Sequence, residues 1–156
     1  MFTNPLFQSA LTAFFGVLVF VIGQIIIKFF VEPIHKQAEL IGEIAHSLTY
    51  YGNIYGIKVV FGDSPEAGSP IVQRAKDATN TFRDQGAKLR ATVTVIKWYP
   101  LWTLLRLVPK KDAVITASTE LIGLSNSVGG TDVDWSAIHK REGSIAESLG
   151  FRIKTP

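Results

Sequence analysis

No charged side chain occurs between Met1 and Ile27, and Lys28 is the first. Within that stretch, Leu6 to Ile27 is an apolar run of 22 residues. As a helix it is about 33 Å long, enough to cross a hydrocarbon layer of roughly 30 Å. Asn4, Gln8 and Ser9 mark a polar entry, and Pro5 suits the first turn of a helix. At the exit, Lys28 is placed to snorkel toward headgroups, with Phe29 and Phe30 near an interface. A cleaved leader would need a basic start and an apolar core of only about 7–15 residues, and the sequence fits neither. The expectation is a transmembrane anchor over 1–31 and a helical body over 32–156, membrane-proximal at 97–111.

Orientation follows from the basic residues. The N-terminal flank has none, whereas Lys28, Lys36 and all later Lys and Arg lie on the other side. That favours an outside N-terminus and a cytoplasmic body, in the cytoplasmic (inner) membrane of a prokaryote. Glu32, Glu39 and Glu43 temper the asymmetry near the helix. The chain has no cysteine, so it needs no oxidising compartment.

Beyond Pro33, the residues Ile34, Ala38, Ile41, Ala45 and Leu48 recur at helical spacing and predict one apolar stripe. The pattern fades near Gly52 and Gly56. Ile57 to Phe61 reads as the last turns of that helix or as a short strand, and Gly62 to Pro70 reads as a break. Ser69 and Pro70 look like the N-cap and first position of the next helix. Its line is Ile71, Ala75, Ala78, Phe82, Gln85, Leu89, Val93 and Ile96, with Gln85 and Gly86 as soft spots. The β-branched run Ala91–Ile96 reads as strand or helix, and the unbroken stripe favours helix. Asp112 is placed to cap a helix carrying Val114, Ala117, Leu121, Leu124 and Val128, closed by Gly129 and Gly130. Thr131 and Asp134, at capping-box spacing, open a last helix with Trp135, Ile138, Ile145 and Leu149 inside and Gly150 at its end. The fold class expected is all-α: one N-terminal transmembrane helix, a long antiparallel hairpin, an interfacial aromatic segment and two shorter helices.

The aromatic segment is IKWYPLWTLLRLVPKK, Ile96 to Lys111. Only eight uncharged residues separate Lys97 from Arg106, about 12 Å of helix, too short to span. The outgoing arm from Pro33 rises about 35–43 Å and the return arm from Pro70 to Lys97 about 42 Å, if both are helical. The segment therefore returns to the level where the chain leaves the apolar layer. A membrane-interface foot is expected of Lys97, Trp98, Tyr99, Leu101, Trp102, Arg106, Lys110 and Lys111. The alternative is burial inside protein.

Candidates for chemistry are weak. His35, Glu39, Glu43 and His46 share one helical stripe, and Glu43 with His46 forms a single Glu-x-x-His pair. A carboxylate di-iron bundle needs two such pairs, so a polar face is expected, with no metal or other cofactor. His139 stands alone, there is no nucleophile elbow, and the glycine turns match no phosphate-binding motif. No catalytic residue is nominated, and an enzyme is not expected.

Basic residues are more patterned. Lys76, Arg83, Arg90 and Lys97 recur every seven residues. Between Lys58 and Lys111 there are ten Lys or Arg against four Asp or Glu, while the whole chain carries +3. A solvated or subunit-facing stripe is preferred to anionic lipid. Nucleic acid is disfavoured, since no binding motif is present and Asp77 and Asp84 dilute the field. In the apolar helix, Ala13, Gly16, Phe20, Gly23, Gln24 and Ile27 form a face suited to another helix, although Phe20 is bulky there.

The functional expectation is a single-pass, non-catalytic structural or accessory protein that self-associates or docks onto a larger membrane complex, in contact with membrane lipid. The alternative is a sensor or effector whose body binds a ligand or acidic partner through the basic stripe and changes the membrane or oligomer state.

Overall fold

The computed structural model describes residues 5–55, 69–128 and 134–152. Among these residues the regular structure is helical throughout, without a strand. Helix α1 (Pro5–Ile26) runs through a wide π-helical turn (Ile27–Val31) into α2 (Glu32–Tyr51), making one continuous helix of 47 residues. Then come α3 (Pro70–Val95), the short α4 (Tyr99–Leu104), α5 (Lys111–Ser127) and α6 (Trp135–Leu149).

The π turn sits just before Pro33. Proline has no N–H to donate to the preceding turn, and its ring crowds that turn's carbonyl. The chain responds by widening: Glu32 N–H donates to Ile27 O, five residues back. The helix thus passes Pro33 without breaking.

The arms α2 and α3 pair antiparallel. Phe30 meets Trp98, Gln37 meets Thr92, Ser47 meets Gln85, and Tyr51 meets Phe82, so one number rises as the other falls. Helix α5 packs along α3, and α6 packs on α5 and on the side of α2. The core between the helices holds Ile44, Phe82, Leu89, Leu121, Leu124 and Ile145, all fully buried. Each such side chain contributes about 1.5–3 kcal/mol by leaving water.

Two terminators work as the sequence implies. The Ser69 hydroxyl accepts from Val72 N–H at the start of α3, and Gly150, at φ 78, caps α6 in the left-handed region. The Ala91–Ile96 run stays helical to Val95. Gly62–Gly68, the Ile57–Phe61 alternative, the Gly129–Gly130 turn and Thr131 lie outside the described residues.

Other positions differ. The buried face of α2 is Gln37, Leu40, Ile44, Ser47 and Leu48, about a quarter turn from the expected stripe, with Ala38 exposed. Two of those buried residues are polar and find partners on α3, and counting apolar residues could not place them. Val72 rather than Ile71 enters the core at the start of α3. Asp112 lies in the first turn of α5 and caps nothing, because Lys110 holds the cap position. Asp134 is itself the N-cap of α6, accepting from Ala137 N–H at 3.1 Å. Trp135 lies outside and stacks on His139.

Candidate functional site

Helix α1 is bare. None of its residues is buried, and a side chain added at Gly16 or Gly23 would meet nothing within 4 Å. Of the candidate helix-contact residues, Ala13, Gly16, Phe20, Gln24 and Ile27 are exposed and Gly23 is half-buried. Among the described residues nothing packs on that face. By length and composition this helix is long and apolar enough to cross a membrane.

The aromatic segment sits at the base of α1. Helix α3 stops when Ile96 turns extended, and Trp98 reverses the chain at φ 57, in the left-handed region. Helix α4 follows, with Pro100 in its first turn. Trp102 Nε1–H donates to Lys97 O at 2.8 Å, which ties the reversal to the short helix. The Phe30 ring, in the π turn, lies 5.3 Å from the Trp98 ring and 6.2 Å from the Trp102 ring. The return of this segment to the helix exit is therefore real geometry.

Of the eight residues expected at a membrane interface, Tyr99 is core. Tyr99 is only 6% exposed. Its hydroxyl receives a hydrogen bond from Gln37 Nε2 at 3.1 Å and donates to Pro109 O at 3.0 Å. Burial pushes its phenol above the usual range, and the Gln37 contact partly offsets this. Tyr99 thus clips α4 to α2 and to the loop before α5. Trp102 is half-buried against Phe30, and Lys97, Trp98, Leu101, Arg106, Lys110 and Lys111 are exposed. Leu104, Leu105 and Leu107, which the sequence did not single out, are exposed by 78%, 54% and 56%. Their run of exposed leucines on a six-residue helix and its turn was legible only once Tyr99 fixed which side faces in.

The basic stripe is shorter than its spacing implies. Lys76, Arg83 and Arg90 are exposed along α3, but Lys97 lies past the helix end. Arg83 Nη2 donates to Asn126 Oδ1 on α5 at 2.9 Å. The neighbouring acids do not pair with the stripe: Asp77 accepts from Gln73, and Asp84 binds Lys88 at 2.6 Å.

The polar face of α2 is solvated. His35 and Glu39 pair at 3.2 Å, Glu43 is exposed, and His46 stacks on Tyr50. Among the described residues no three His, Asp or Glu are grouped to hold a metal ion. At the far end of the body, the buried Tyr55 hydroxyl has no hydrogen-bond partner of ordinary geometry. Burial, and then the charge of nearby Glu142, push its phenol strongly up.

No known protein family, curated protein or solved structure shows detectable similarity to the chain.

Proposed function

We propose that the chain is a non-catalytic, single-pass membrane protein that serves as a structural or accessory subunit, self-associating or docking onto a larger membrane complex. The observation that carries this is the bareness of α1: a 22-residue apolar helix with no buried residue. Exposed apolar surface of that extent needs lipid or another helix to cover it. Leu104, Leu105 and Leu107 of α4 and its turn add exposed apolar surface, and α4 is held near Phe30 through Trp102. In this reading α1 spans the bilayer, α4 rests on its cytoplasmic face as a foot, and α2, α3, α5 and α6 form a body in the cytoplasm. The membrane is the cytoplasmic membrane of a prokaryote.

Gly16, Gly23 and Gln24 supply the means of association, because small residues let backbones approach and a glutamine in lipid favours a partner. Gentle detergent extraction followed by mass determination tests the proposal. A defined oligomer, or a complex with a second protein, supports it; a strictly monomeric species without a co-extracted protein sinks it.

A second reading draws on Lys76, Arg83 and Arg90. Asp84 is offset by Lys88 and only Asp77 stands against the three exposed cations, so the stripe keeps a net positive field for an acidic partner or ligand. Under that reading, charge reversal of the three abolishes a partner-dependent change in oligomer state or membrane permeability.

A further inference from the structure

The turn that closes α4 carries an arginine where its backbone calls for glycine. Leu107 N–H donates to Trp102 O and Arg106 N–H to Thr103 O, both at 3.0 Å. These are the two bonds of a Schellman turn, whose left-handed residue is usually glycine. Here it is Arg106, at φ 58. Glycine adopts this conformation without steric cost and arginine does not, so the turn alone does not account for the residue.

Its surroundings do. Arg106 and Lys110 line an open groove of about 990 Å³ between α4, the loop to α5 and the end of α6. Leu104, Leu107 and Leu149 form its apolar wall. Among the described residues Glu147 is the one acidic side chain on it, so the two cations outnumber the carboxylate there. The volume is of the order found for small-molecule sites.

We infer that this groove binds one anionic phospholipid, with the phosphate on Arg106 and Lys110 and an acyl chain along Leu104, Leu107 and Leu149. One feature selects this occupant. An apolar wall that carries two cations on its lining matches a molecule with an acyl tail and a negative head. A zwitterionic lipid matches the wall but gives the cations no net charge to hold. The inference rests on the membrane placement proposed above, since only there does the groove meet lipid.

The full chain is reconstituted into bilayers of phosphatidylcholine with a minor share of phosphatidylglycerol. After gentle extraction, the lipid that stays bound is quantified. Phosphatidylglycerol is expected to be enriched over its share of the bilayer. Arg106→Gly and Lys110→Gln should each reduce the enrichment, by roughly fivefold for a cation at a membrane surface. Arg106→Lys should largely keep it. Because Arg106→Gly relieves the turn, its melting temperature should hold or rise while lipid selectivity falls, a combination that a merely structural role does not produce. Enrichment that is absent, or that survives the double substitution, overturns the inference and leaves the anchor standing. A chain that fails to enter bilayers at all overturns both.

Discussion

Phe30 and Trp98 are 68 positions apart in the chain, and their rings lie 5.3 Å apart. The contact joins the end of the apolar helix to the reversal that starts α4, and so fixes where α4 lies. Trp102 completes the clamp from the other side.

Phe30→Ala should loosen α4 and the reversal before it without unfolding the other helices. Each aromatic pair contributes about 0.5–1.5 kcal/mol beyond its buried area, and two are lost. Amide exchange from Tyr99 to Leu107 should accelerate, while that of Phe82 and Leu121 in the core stays slow. Equal acceleration everywhere would mean that the clamp is part of the core.

Gln37 is the second hold on α4. It donates to Thr92 Oγ1 at 3.0 Å and to the Tyr99 hydroxyl, inside the body. Gln37→Ala should destabilise by about 1–3 kcal/mol, since it leaves buried polar partners with fewer bonds. A denaturant melt reads the loss, and Gln37→Glu should not restore it, because a buried carboxylate adds a charge without a cation.

Gly86 marks the closest approach of α3 and α5. A Cβ there would stand 3.1 Å from both Ser118 O and the Ile122 side chain. The Ser118 hydroxyl donates to Gly86 O at 2.8 Å across the same crossing. Gly86→Val should therefore cost about 1–3 kcal/mol by overpacking, visible as a lowered melting temperature. Gly42→Ala, at an open position of α2, serves as the control and should be neutral or stabilising.

Tyr55 sets an alkaline limit. Its phenol is held neutral in the fold by burial and by the charge of Glu142, so its pKa is raised. An unfolded tyrosine ionises near pH 10. The stabilisation is thus fully present below about pH 10 and is lost as pH rises above it, where only the unfolded chain readily gives up its proton. Tyr55→Phe should flatten that alkaline loss. Melting temperature against pH for both proteins checks this.

The order and type of the elements were legible because they rest on local signals. The charge-free run, the Ser69–Pro70 cap and Gly150 each act within a few residues. The phase of α2 was not legible, because Gln37 and Ser47 are buried by bonds to Tyr99, Thr92 and Gln85, which are distant in sequence. Gly86 and Gln85 looked like weak points of a stripe. They are instead a close crossing and an interhelical hydrogen bond. The position of the aromatic segment was half legible: matched arm lengths placed it beside the end of the apolar helix, but only the Tyr99 clip separates its inward residue from the exposed leucines.

The proposal that α4 rests on lipid beside a spanning α1 is tested most directly by the depth of Trp98. Trp102→Phe and Trp135→Phe leave it as the sole indole, 67% exposed in the protein alone. In bilayers whose lipids carry bromine at graded depths, its fluorescence should shift to the blue and be quenched most by bromines near the headgroups. An unquenched, water-like emission would contradict the foot, and strongest quenching at the bilayer centre would contradict its place at the surface.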